Sequence, residues 1–184
     1  MKTNTLLVLS SVFAFGLSMY ATEANAVKWQ GQSGEDPNNP AIWYSVLSVG
    51  AIRTKLSTDF VATMDGWLKR HSRAKIVRVV ARKPLLDSQP NSKLIFVWIV
   101  DGGENLNVYL VRHGCVAAAQ MFSLSDDDMQ LLRNELAMPK DKLEVSQKEY
   151  DKVKSRLIAA EKLAKTERLG IWASPKSDAD RTDD

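Results

Sequence analysis

The sequence predicts an α+β domain that closes on a long C-terminal helix, and three stretches predict it. Leu94 to Val100 (LIFVWIV) is apolar at every position, the mark of a strand covered on both faces. Lys75 to Arg82 alternates, with Ile76, Arg78, Val80 and Arg82 on one parity and Lys75, Val77, Val79 and Ala81 on the other. From Ser146 the period changes: Tyr150, Val153, Leu157, Ala160 and Ala164 recur at helical spacing and make one apolar stripe.

Residues 1–26 read as a leader peptide. Lys2 supplies the positive start, Leu6 to Tyr20 the apolar run, and Ala24-Asn25-Ala26 a small-x-small cleavage site, which predicts a mature N-terminus at Val27. The apolar run is short for a membrane span, so the expected product is exported to a periplasm or the exterior with no transmembrane segment after cleavage. Residues 27–40 are rich in Gly, Asn, Pro and charge and read as a flexible lead-in. The domain proper is expected over 41–173. It starts with a β-branched and aromatic strand from Ala41 to Lys55, with Gly50 available for a hairpin bend.

Ser57 or Thr58 can cap a helix running to about His71, with Phe60, Val61, Met64, Trp67 and Leu68 as its stripe. Gly66 weakens this helix by about 1 kcal/mol relative to Ala. After the strand at 75–82, Pro84, Pro90 and Asn91 mark a turn-rich connection to the central strand. Asp101-Gly102-Gly103 is a turn, Leu106 to His113 a short helix stopped by Gly114, and Cys115 to Phe122 a small-residue strand. Ser125 and Asp128 cap a helix that Pro139 ends. In the last helix Ser146 and Glu149 form a capping box, and Lys165 and Arg168 suit the negative end of the dipole. Gly170 is expected as its left-handed stop, with Trp172 folding back into the core, where truncation to Ala would cost roughly 3–5 kcal/mol. Residues 174–184 read as a disordered polar tail.

Charge is uneven. From Arg53 to Arg112 there are eleven Lys/Arg and five Asp/Glu, whereas acids gather at Asp126–Asp128 and in the tail. A basic half suits anionic partners, although a solvated surface accounts for it equally well. Cys115 is the one cysteine, which excludes an intrachain disulfide, and its apolar neighbours point to a buried thiol. His71 and His113 are isolated, without the Cys or Ser partners of a zinc site or a triad. Asp126–Asp128 sit at a helix N-terminus, where the dipole explains them without a cation.

Two stretches, AEKLAKTERLGIW (160–172) and LNVYLVRHG (106–114), resemble the staphylococcal-nuclease-like (thermonuclease) family. The resemblance covers about Thr58 to Trp172. It implies an OB-type small β-barrel with packed helices, here partly truncated at its N-terminal side. It also implies phosphodiester hydrolysis by two phosphate-gripping arginines, a glutamate base and a calcium ion held by aspartates. The sequence departs from that pattern at the chemistry. Arg53 stands for the first arginine, but the glutamate position falls on Val61, and the second arginine is Lys93, which keeps charge without the bidentate fork. No Asp-Gly-Asp turn precedes the first helix, and the stacking tyrosines fall on Gln120 and Phe122.

The sequence therefore favours an exported, catalytically degenerate domain that binds nucleic acid or another polyanion. Arg53, Arg78, Arg82, Lys93 and Phe122 are its candidate contacts, with no catalytic residue assigned, no cofactor and no metal. A second reading is a structural or partner-binding envelope protein that pairs through an open barrel edge. A third is a metal-dependent phosphodiesterase, the one case requiring calcium, with acids such as Asp59, Asp65 or Asp87 in a rearranged site.

Overall fold

The structure, a computed structural model, describes residues 22–48, 55–82, 92–121 and 142–173. Strands β1 (Lys28–Gln30), β2 (Ser33–Asp36) and β3 (Asn39–Ser45) form a meander, followed by helix α1 (Phe60–Arg70) and strands β4 (Lys75–Arg82) and β5 (Lys93–Asp101). Short β6 (Glu104–Asn105) leads into α2 (Leu106–Arg112), and β7 (Lys142–Leu143) precedes the long helix, here α3 (Gln147–Thr166). The strands form one mixed sheet in the order β1-β2-β3-β5-β4-β7, with β6 added to β5. Its one parallel contact among the described residues joins β3 to β5.

The sheet is open. The closed barrel implied by the resemblance is not formed, because β1 and β7 end the order without pairing to each other among the described residues. A partial closure exists at the N-terminal side. The amide of Ala24 donates to Ala74 O at 2.9 Å and that of Ile76 to Thr22 O at 3.0 Å, around a single bridge between Glu23 and Lys75.

The central strand is covered on both faces, as its unbroken apolar run predicts. Ile95, Val97 and Ile99 enter the larger core with Phe60, Met64 and Trp67 of α1 and Leu106, Leu110 and Val111 of α2. Phe96 and Trp98 enter a smaller core with Val79, Val80 and Tyr150 of α3. One buried polar side chain organises this strand. Beyond its pairing with β3, which ends at Phe96, β5 carries open backbone groups until β6 takes over at Val100. Asn107, fully buried on α2, fills that gap. Its Oδ1 accepts from Ile99 N at 3.2 Å, and its Nδ2 donates to Val97 O at 3.1 Å and to Val46 O at 2.8 Å. The amide thus continues the ladder where no strand lies alongside.

Several local expectations change. The segment 27–40 is no lead-in; it holds the hairpin β1–β2, turned at Gly31 with φ 64°. Cys115–Ala117 followed by a 3-10 turn at Ala118–Met121 replaces the predicted strand, so Cys115 is buried by a turn packed on α2. Helix α1 starts one residue after Asp59, which makes no side-chain cap, and neither Ser57 nor Thr58 occupies the cap position. Helix α3 has the predicted capping box, worth about 1 kcal/mol. Its left-handed residue is Arg168, φ 54°, not Gly170. The expected helix over 125–138 lies outside the described residues.

Gly170 is needed for another reason. It and Gly114 both have positive φ, and their backbones touch: a Cβ on either would overlap the other segment's carbonyl. Ile171 N donates to Gly114 O at 2.8 Å across this contact. The two stretches that carry the family resemblance therefore meet in space. Trp172 is only partly buried, with Lys165 Nζ 4.3 Å from its ring centroid. The full burial expected of it is not found, and Trp172→Ala should cost less than the ~3–5 kcal/mol of a core aromatic.

These contacts give stability predictions. Asn107→Ala strands three buried backbone groups and should lower stability by at least ~3 kcal/mol. Gly114→Ala and Gly170→Ala should each cost more than ~2 kcal/mol, from backbone overlap and an unfavourable φ. Gly66→Ala should instead stabilise by about 0.5–1 kcal/mol, because a Cβ there meets only Arg70 Nη1 at 3.6 Å. Urea midpoints of the four variants check the order.

Candidate nucleic-acid interface

Among the five predicted contacts, Lys93 is exposed at the first position of β5, in register with Ile42. Arg82 is the last residue of β4, opposite Leu94. Lys142, which the sequence reading did not single out, opens β7 opposite Ala81. These three basic positions fall at the same end of the adjacent strands β7, β4 and β5. Two strand spacings, roughly 10 Å, span them. Arg53 and Phe122 lie outside the described residues, as do Asp87 and Asp126–Asp128. Strand β3 ends at Ser45, well short of Arg53.

Arg78 does not join this rim, because it lies four residues back from the end of β4 and its side chain is engaged. Simple alternation puts residues 78 and 82 on one face, but the register shifts between Arg78 and Val80. A bulge there flips the parity. Arg78 comes opposite Val97, in the larger core, and Arg82 opposite Leu94, whose parity is that of Phe96 and Trp98. The Arg78 guanidinium is also engaged, with Nε 2.9 Å from Glu144 Oε2 and Nη2 donating to Oε1 at 3.2 Å. This two-pronged pair takes up much of the fork that would grip a phosphate.

Behind the rim lies a small polar network. Asp36 is buried, and its Oδ1 accepts from Asn38 N at 2.8 Å while Oδ2 accepts a close hydrogen bond from the Tyr44 hydroxyl. Thr22 Oγ1 is 3.3 Å from the same hydroxyl. Burial, and then the hydrogen bond to Asp36, push the Tyr44 pKa above the usual tyrosine value. Tyr44 is therefore a fixed neutral donor and Asp36 an occupied acceptor. Beside them Trp43, half-buried, lies opposite Leu94 in the row that continues to Arg82 on one side and through Glu35 to Lys28 on the other.

The remaining candidates stand apart. Val61 is 47% exposed on α1. Asp59 and Asp65 are exposed at the start and on the outer side of that helix. His71 bridges structure: its ring stacks on Trp67 with centroids 3.9 Å apart, Nδ1 lies 3.3 Å from Asp101 Oδ2 and Nε2 lies 3.5 Å from Glu104 Oε2. His113 Nδ1 sits 2.8 Å from Tyr109 O at the end of α2. The turn between the first two strands, where the resemblance would place calcium ligands, is Gly31-Gln32. It offers no carboxylate, and the Asp36 carboxylate is already bonded, so these residues do not fit a calcium ion. No family model matches the sequence, and no curated protein matches it.

Tyr44 gives the site a pH signature. Its folded pKa is raised, so its contribution to stability is complete below the ordinary tyrosine value of about 10 and is lost as pH rises through the folded value. Urea midpoints should hold from neutral pH to about 9 and then fall above about 10. Tyr44→Phe should lower the midpoint at neutral pH, because Asp36 loses a donor, and flatten the alkaline fall.

Proposed function

We propose that this chain is an exported, thermonuclease-like domain that has kept the fold and lost the hydrolysis, and that it binds a polyanionic strand such as single-stranded nucleic acid. The fold reading is supported by the strand order β1-β2-β3-β5-β4, the parallel β3–β5 contact and the helix between β3 and β4. Together with the bridge from Glu23 to Lys75, they are what an OB-type arrangement left open would have.

The observation that carries the binding reading is the basic rim, in which the positions of Arg82, Lys93 and Lys142 fall at one end of three neighbouring strands, Lys93 and Lys142 in register with Ile95's face of the sheet and Arg82 with Leu94's. Such a rim holds phosphates through charge without needing a base or a metal. Trp43, next along the row from Leu94, supplies a partly open aromatic face of the kind on which bases stack. The loss of hydrolysis is supported by Val61, a residue unable to accept a proton, at the position the resemblance gives to the base.

Titration of single-stranded oligonucleotides with rising salt tests the proposal. Lys93→Ala, Arg82→Ala and Lys142→Ala should each weaken binding and reduce the salt slope by about one. Trp43→Ala should cost about 1–3 kcal/mol with the slope unchanged. Arg78→Ala, whose side chain is held by Glu144, should change binding least. Binding indifferent to salt and to the rim variants would remove the nucleic-acid reading in favour of a protein partner at a sheet edge. Cleavage abolished by chelator would replace it with a rearranged nuclease.

A further inference from the structure

We infer that residues 22–26 belong to the folded domain and that the leader is cut at or before the Ala21–Thr22 bond rather than after Ala26. The inference rests on the export reading. The small-x-small pattern at Ala24-Asn25-Ala26 marks a peptidase site in an extended chain, but these residues do more in the fold than fill a leader. Ala24 is fully buried in the larger core. Its amide donates to Ala74 O at 2.9 Å, and its carbonyl accepts from Trp29 Nε1 at 2.9 Å and from Val27 N at 3.3 Å. Thr22 O accepts from Ile76 N at 3.0 Å. Glu23 pairs with Lys75 Nζ at 2.6 Å, and Asn25 Nδ2 donates to the carbonyl that ends α1, His71 O, at 3.1 Å.

A chain beginning at Val27 would lose the whole connection between the first hairpin and β4. It would leave the amide of Ile76 and the carbonyl of Ala74 on a bare strand edge, and Trp29 and Tyr44 without partners that they now hold. It would also empty the space that Ala24 fills. A chain beginning at Thr22 keeps every one of these contacts.

The test expresses the full chain in a bacterial host and reads the exported product by intact mass. The expected N-terminus is Thr22 or a residue before it. Ala26→Asp, which destroys the downstream site at an exposed position, should be processed like the parent. A product beginning at Val27, or a block by Ala26→Asp alone, overturns the inference and leaves export standing. A parent chain retained at full length overturns export and the inference together. Independently, Ala24→Asp in the full chain should lower the urea midpoint strongly and Ala26→Asp hardly at all. Equal midpoints would place 22–26 outside the cooperative fold and overturn the inference.

Discussion

The Asn107 side chain is the constraint on which the rest of the structure depends. Strand β5 needs hydrogen-bond partners on both edges because it is buried on both faces, and water cannot reach its backbone. β4 satisfies one edge. The other is shared by β3, β6 and, between them, the Asn107 amide. By reaching Val46 O as well, across 61 residues of sequence, the same side chain fixes where the chain leaves β3. Helix α2 is thereby locked in position, and the end of α2 at Gly114 in turn receives the end of the chain. A neutral amide with both donor and acceptor is what this gap requires; a carboxylate or an aliphatic chain of the same size offers only half or none of it.

The helices were legible in the sequence because their signals are local. A capping box, an apolar stripe and a basic last turn lie within a few residues of one another, and α3 and the body of α1 follow them. The double burial of β5 was legible for the same reason. The hairpin β1–β2 was hidden, since its strands are only a few residues long and its Gly, Asn and Pro content is that of a loop. The bulge in β4 was hidden too. No residue between Arg78 and Val80 announces it, and it shows only in the register with β5. Gly170 was assigned to a helix stop on local grounds, whereas its need for glycine comes from Gly114, a contact no local pattern contains.

The candidate site divides along the same line. Lys93 could be singled out by its place before the central strand, and its exposure agrees with that. Arg78 looked equivalent to Arg82 by parity, and only the register and the pairing with Glu144, 66 residues away, separate them. Lys142 carried no signal beyond its charge, and its membership in the rim depends on β7 pairing with β4. Trp43 was read as part of a strand, and its half-open aromatic face became visible only once β3 was placed beside Leu94.

The parallel pairing of β3 with β5 has a consequence for how the N-terminal meander is held. The N-terminal meander meets the body of the sheet along four paired positions, Ile42–Lys93 to Ser45–Phe96, and on its other side through one bridge at Glu23. Parallel ladders are slightly weaker per residue than antiparallel ones and can form only after a long crossover has been closed. The meander is thus held to the rest of the sheet by one short ladder and one bridge, and the burial of Val27 and Tyr44 in the larger core supplies the remaining hold. Lys93 stands at the first pair of that ladder, so its exposed side chain marks the line along which meander and body join.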